Sequence, residues 1–525
     1  LKLNPRCLRL GRSIHDVYTL NMSAVLAIDQ GTTGSTALVF ADSGEVIGRA
    51  YSEFTQHYPR PGWVEHDPEE IWQVSRRVMA EALENARIGR TGLAAIGITN
   101  QRETTVVWDR ETGRPVYPAI VWQSRQSAPI CERLKADGLE ATFRERTGLR
   151  LDPYLSGSKI RWILDRDPAL QQRAENGELA FGTIDSWLLW KLTGGRRGAG
   201  ALHRTDPTNA SRTLLYDIHE QRWDPQLCEL LDVPPAMLAE VRPSAGVFGE
   251  IDAFEGIPGG VPVAGIAGDQ QAALYGQGCW EPGQAKNTYG TGCFMLMNMG
   301  AEHAISQHGL LTTVCCDAVG APAYALEGSV FCAGATVQWL RDELGIIDDA
   351  AETEALARGL ADNGGVYLVP AFSGLGAPYW DAEVRAAVLG MTHGTGRAHF
   401  ARAALEAIAY QSRDIAQAMA RDSGIEMKQL RVDGGAAAND FLMQFQADIL
   451  GVAVERPRHI ETTAAGSAYL AGLAIGVWPS SEDLREAMRI ERRFEPQMAQ
   501  TQRDALYAGW QKAVAQLLTS PAAEG

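Results

Sequence analysis

The feature that most constrains this chain is a strand–turn–strand signal that occurs twice, far apart. Val25-Leu26-Ala27-Ile28 runs into Asp29-Gln30-Gly31-Thr32-Thr33-Gly34-Ser35 and out through Thr36-Ala37-Leu38-Val39-Phe40. Two β-rich runs around a Gly/Thr/Ser turn predict a hairpin. Asn287-Thr288-Tyr289-Gly290-Thr291-Gly292-Cys293-Phe294 carries the same pattern. Two similar halves, 22–270 and 271–525, are the natural division, and 525 residues suffice for two large domains.

Other segments fill in an α/β order. Ala94–Thr99 is an apolar strand ending in Asn100-Gln101-Arg102-Glu103, and Thr104–Trp108 reads as the next strand. Val261–Ile266 leads into a Gly268-Asp269 turn and then a helical stretch from Gln271. Leu430-Arg431-Val432 enters Asp433-Gly434-Gly435, with a helix from about Asn439-Asp440 to Leu450. Pro68 to Ala80 has the apolar spacing of an amphipathic helix, with Ile71, Trp72, Val74, Val78 and Met79 on one face. Strands and helices in alternation predict an α/β protein.

Composition removes several function classes. A formal charge of −16 argues against a surface made to neutralise nucleic-acid phosphates, and no apolar run is long enough to insert in a membrane. The eight cysteines form no C-x-x-C pair, which fits a reduced, cytoplasmic setting. Residues 1–21 are Arg-rich, lack a signal-peptide apolar core and are expected to be a leader outside the fold.

Neither G-x-x-x-x-G-K-[ST] nor G-x-G-x-x-G is present, and lysine is scarce. A phosphate site here has to rely on backbone N–H groups, hydroxyls and metal. Gly31–Ser35 and Gly290-Thr291-Gly292 offer small residues and successive N–H groups of the kind that cradle anions. Either alone is compatible with a plain hairpin; two facing one cleft would clamp a phosphate. Asp29 and Asp269 each end a strand, where they serve either as turn residues or as the metal-bridging carboxylate and the base of phosphoryl transfer.

Ser156-Gly157-Ser158-Lys159 matches S-x-x-K, but its companion elements are absent, as are H-E-x-x-H and G-x-S-x-G. Hydrolytic chemistry therefore has no support. Arg102-Glu103 presents a donor and an acceptor side by side, suited to vicinal hydroxyls or to a surface ion pair. Trp122, Tyr154 and Phe294 are candidates for an apolar wall or for core.

With these segments in view, the chain resembles the FGGY carbohydrate kinases, and among them the branch acting on glycerol. The resemblance rests on 29–35, 97–104, 154–159, 267–274, 287–294 and 432–439, in order and spacing, and runs from about 22 to about 515. It implies two actin-like (ribonuclease-H-like) ATPase domains flanking a cleft, and transfer of a phosphoryl group from ATP, with Mg2+, to a terminal hydroxyl of glycerol. It implies Asp269 as general base, and Arg102, Glu103, Tyr154 and Gln270 as polyol contacts with Trp122 and Phe294 along the carbon chain. Thr32, Thr33, Gly34 and Thr291 are implied at the phosphates, Gly334, Gln338, Gly435 and Asn439 at the adenosine, and Asp29 at the metal through water. A homodimer or homotetramer is the family's habit.

Two departures stand out. Many members carry Arg where this chain has Thr36, which bears on phosphate affinity. The stretch Phe254–Gly260 lacks the Arg that ends the fructose 1,6-bisphosphate loop of regulated bacterial members, so inhibition by that sugar is not expected here. A kinase for a pentulose or larger polyol, and a non-catalytic actin-like ATPase, are the competing readings.

Overall fold

The computed structural model describes residues 23–88, 92–458 and 461–519. The leader expected at 1–21 lies outside the described residues. β1 (Ala24–Gln30) and β2 (Gly34–Phe40) pair antiparallel with Asp29 opposite Thr36. Gly31 N–H donates to the Gly34 carbonyl at 3.0 Å, so only three residues form the turn and the strands extend further into it than the sequence signal suggests.

β3 (Val46–Glu53), β4 (Leu93–Asn100), β5 (Ala245–Glu250) and β6 (Pro262–Gly268) complete a six-stranded sheet in the order β5-β6-β4-β1-β2-β3. β4 is parallel to both β1 and β6. A second, seven-stranded sheet contains β7 (Gln284–Tyr289), β8 (Cys293–Gly300), β9 (Leu311–Cys316), β10 (Pro322–Val330), β11 (Gln429–Asp433), β12 (Val454–Pro457) and β13 (Ile490–Phe494). Its order is β9-β10-β8-β7-β11-β12-β13. In each sheet an antiparallel run lies on one side of the first strand, and on the other lie two parallel strands closed by an antiparallel edge strand. The two sheets therefore repeat one topology.

Helix α1 (Pro68–Ala86) runs longer than its apolar spacing alone indicates, capped by the Asp67 carboxylate at the Glu69 N–H. It buries Ile71, Val74 and Val78 against Ile28 and Val39 of the first sheet. Asp269 begins α2 (Asp269–Gly276) directly after β6, with no intervening turn. In the second half, α3 (Gly334–Asp342), α4 (Arg397–Ser423) and α5 (Asp440–Leu450) accompany the second sheet, and Ile408, Leu442 and Phe445 enter its core.

One element crosses the sequence division. α6 (Thr462–Ile475) packs Ala464, Ala468 and Ala471 against Val25, Ala27 and Ala264 of the first sheet. Small residues permit this: a Cβ on Gly97 would lie 2.3 Å from the Ser467 carbonyl oxygen.

Candidate active site

β1, β4 and β6 are parallel, and the groups expected to act leave their carboxyl ends, where open α/β sheets place ligands. Arg102 follows β4 and Asp269 follows β6, and Arg102 Nε lies 3.1 Å from Asp269 Oδ1. The Gln270 N–H donates to the same carboxylate oxygen at 2.7 Å. Burial raises the Asp269 carboxyl above its ordinary value, and the cations Arg102 and Lys286 oppose that rise.

Arg102 and Glu103 are both buried, so they do not form a surface ion pair. Nor do they pair chiefly with each other, their closest charged atoms being 3.8 Å apart. Glu103 Oε1 accepts instead from Arg212 Nε at 2.6 Å. Arg102 is held by Glu327, which takes both of its terminal nitrogens. Burial opposes charge on Glu327, but Arg102 and Arg212 overcome it and hold the carboxyl down at about 2.

Glu103 sits at φ 61, a left-handed conformation uncommon for a residue with a side chain. Its carbonyl accepts from Ser156 Oγ at 3.1 Å and from Lys159 Nζ at 3.1 Å. The S-x-x-K look-alike thus anchors the backbone turn that aims Arg102 and Glu103. Burial lowers the Lys159 ammonium to about 7 against the pull of Glu103. The same turn delays the following strand, which begins at Val106 rather than Thr104.

Tyr154 OH accepts from Arg102 Nη2 at 3.3 Å, and its ring meets Trp122 edge-on at 5.8 Å between centroids. The Trp122 indole donates to Thr32 Oγ1 at 2.8 Å, tying the aromatic wall to the first Gly/Thr turn. Gln270 accepts from the buried Lys286 ammonium, which also donates to Thr288 Oγ1 at 3.0 Å. Phe294 is half-buried on β8, opposite Thr288.

On the other side, α3 starts against the second Gly/Thr turn. The Gly334 N–H donates to the Gly290 carbonyl at 3.0 Å, and Ala333 and Ala335 donate to the Thr291 carbonyl. A Cβ on Gly334 would lie 2.6 Å from that Gly290 oxygen. Gly434, at φ 86, backs onto Tyr289 so closely that only glycine fits, leaving Gly435 exposed beside it. Asn439 caps α5 through Oδ1 and reaches Thr353 Oγ1 with its amide at 3.2 Å. Gln338 is exposed on α3. Thr291 and Gly334 thus border one another, while Gln338 lies one turn further along α3 and Asn439 stands at the start of α5.

Burial, reinforced by the negative charges of Asp269 and Glu461, pushes the Asp29 carboxyl up to about 8. An acid surrounded by acids is a place where a cation relieves repulsion. No cluster of three or more His, Cys, Asp or Glu side chains able to cage a metal occurs among the described residues. Arg212, Glu327 and Lys286 are the site residues that motif reading missed. Their signal was faint: Glu327 and Lys286 are single charges inside strand segments such as Ala323-Tyr324-Ala325-Leu326-Glu327, and Arg212 lies in a turn between Ser211 and Thr213.

Two α/β sheets of one topology define an actin-like ATPase fold. The chain belongs to the FGGY family of carbohydrate kinases, whose N-terminal domain model matches residues 24–276 and whose C-terminal domain model matches 285–475. It is 58% identical over 494 residues to the glycerol kinase of Shewanella woodyi, covering 94% of this chain and 99% of that one. It is 59% identical over 494 residues to the glycerol kinase of Pseudomonas fluorescens, covering 94% and 96%. The crystal structure of Plasmodium falciparum glycerol kinase with ADP superposes with a TM-score of 0.89 at 35% identity, over 95% of this chain and 99% of that one. A gluconate kinase from Lactobacillus acidophilus, at 18% identity and TM-score 0.84 over 94% and 99%, shares the fold.

Proposed function

We propose that this chain transfers the γ-phosphoryl group of ATP to a terminal hydroxyl of glycerol, giving sn-glycerol 3-phosphate and ADP as the first step of glycerol catabolism. The observation that carries the reading is the Arg102–Asp269 pair: a carboxylate with a raised pKa held 3.1 Å from a buried cation where two parallel strands end. Near-full-length relatives at 58–59% identity that bear the name glycerol kinase support the same substrate.

Arg102, Glu103, Tyr154 and Gln270 hydrogen-bond the hydroxyls of the triol, and Trp122 and Phe294 cover its C–H edges. The attacking oxygen forms its bond to the γ-phosphorus as the bond to the β,γ-bridging oxygen breaks, and its proton passes to the Asp269 carboxylate. Thr32, Thr33, Gly34 and Thr291 offer hydroxyls and backbone N–H groups to the phosphates. Gly334, Gln338, Gly435 and Asn439 border the adenosine.

The residues present fit a magnesium ion: Asp29, with the negative charges of Asp269 and Glu461 near it, offers a carboxylate toward an ion otherwise held by water and substrate phosphates. When bound, that ion neutralises charge on the transferring phosphate.

Residues 22–270 supply most polyol contacts and 271–525 most nucleotide contacts. A cytoplasmic setting is supported by the seven cysteines among the described residues, which are free and buried. No helix among the described residues is long and apolar enough to cross a membrane. Assembly as a homodimer or homotetramer completes the reading, to be measured by light scattering.

ADP release with Mg-ATP and glycerol, dihydroxyacetone, xylulose, ribitol or no acceptor tests the function. Turnover that follows glycerol supports it. Turnover with a pentulose in its place overturns the substrate, and acceptor-independent ADP release overturns the transfer.

A further inference from the structure

This inference rests on the reading of Arg102 as a polyol contact. A guanidinium has five N–H donors fixed in one plane, so which of them the protein occupies decides which edge is left for a ligand. Arg102 Nη1 donates to Glu327 Oε2 and, at 3.2 Å, to Gln271 Oε1. Nη2 donates to Glu327 Oε1 at 3.0 Å and to Tyr154 OH at 3.3 Å. The four terminal donors all face protein acceptors. The fifth, Nε, lies beside the Asp269 carboxylate.

Glu327 is fully buried at the centre of β10 in the second sheet, whereas Arg102 follows β4 in the first. Its Oε1 also accepts from Arg212 Nη2 at 3.2 Å. A lone charge-neutralising carboxylate need not meet both terminal nitrogens; a two-pronged contact fixes the guanidinium plane as well. Without it, Arg102 is free to rotate toward Asp269 and toward Glu103, whose Oε1 is 3.8 Å from Nε.

We propose that Glu327 is a positioning residue that reaches across from the second half and turns the Nε edge of Arg102 to the polyol, beside the carboxylate that takes its proton. The hydroxyl is then read by a donor whose direction is set by the other half of the molecule. Glycerol recognition by Arg102 thereby depends on how the two sheets stand relative to each other.

The test compares Glu327→Asp, Arg102→Lys and the double variant by KM for glycerol, KM for ATP, kcat and melting temperature. Glu327→Asp keeps the charge but shortens the reach. It is expected to raise KM for glycerol about tenfold or more while KM for ATP stays within about twofold of the parent, because the lost interaction is with the polyol alone. On the Arg102→Lys background the same change is expected to add little, as for residues acting through one contact. Parental KM for glycerol in Glu327→Asp, with a raised KM in Arg102→Lys, overturns the proposal alone. Equal increases in both KM values together with a lower melting temperature also overturn it, since that is the mark of a structural role. If Arg102→Lys leaves KM for glycerol unchanged, the polyol assignment of Arg102 itself fails. Should Glu327→Asp not fold, Glu327→Gln keeps the length and one acceptor oxygen and is judged by the same outcomes.

Discussion

Arg102 Nε and Asp269 Oδ1 stand 3.1 Å apart at the ends of neighbouring parallel strands, with Gly268 aligned to Asn100 in the ladder just before them. The cation expected to read the substrate therefore also touches the carboxylate expected to activate it. A Cβ on Gly268 would come within 2.8 Å of the Arg102 side chain, so the close approach depends on glycine there.

Arginine at 102 uses a planar fork that lysine lacks. Arg102→Lys is expected to raise KM for glycerol by about tenfold or more, because bidentate arginine sites do not accept lysine. Initial rates over a glycerol series check this, and an unchanged KM contradicts it.

Gly334 permits the start of α3 to abut the Gly290 carbonyl. Gly334→Ala places a methyl group 2.6 Å from that backbone oxygen, which cannot swing aside. Overpacking of this kind costs about 1–3 kcal/mol. Displacement of the Gly290–Thr291 turn is expected to raise KM for ATP and to leave KM for glycerol near its parental value, as read from two orthogonal substrate titrations.

Thr36 lies opposite Asp29 in the first hairpin, on the same face of the sheet. Thr36→Arg brings a cation toward the phosphate side, where a hydrogen bond involving a charged group contributes about 1.5–3 kcal/mol. A lower KM for ATP is expected, measured at fixed magnesium. No change would mean that position 36 does not address the nucleotide.

His203 is half-buried, with Nε2 2.7 Å from the Phe181 carbonyl and Nδ1 3.0 Å from Arg110 Nη2. The ring is therefore the neutral tautomer, donating through Nε2 and accepting at Nδ1. Burial, with the Arg110 charge, pushes its pKa down from 6.5 to about 3. Between those values the unfolded chain binds more protons than the folded one, so this group's contribution is present above pH 6.5 and is lost as pH falls toward 3. His203→Gln is expected to flatten the acid limb of a plot of melting temperature against pH between 6.5 and about 4. An unaltered limb contradicts the assignment.

Much of the architecture was legible because the hairpins at 24–40 and 284–300 combine β-rich apolar runs with Gly/Thr turns, a local signal. The Asp433-Gly434-Gly435 turn was legible for the same reason. What escaped was non-local. α6 has the composition of any Ala-rich helix, and nothing in 462–475 says that it lies against β1 and β4. Glu327 and Arg212 carry no motif, because their partners come from a distant loop and the opposite sheet. Lys159 illustrates the reverse: a recognisable pattern whose role here is to hold the Glu103 carbonyl.

The central claim is that Asp269 accepts the proton of the attacking hydroxyl. Its most direct test is the steady-state rate of ADP formation by Asp269→Asn with saturating glycerol and Mg-ATP, alongside KM for both substrates. Asparagine keeps the shape and loses the basicity, so kcat is expected to fall by about 10²–10⁴-fold with modest change in either KM. A kcat within a few-fold of the parent would contradict the account and remove Asp269 from the chemistry.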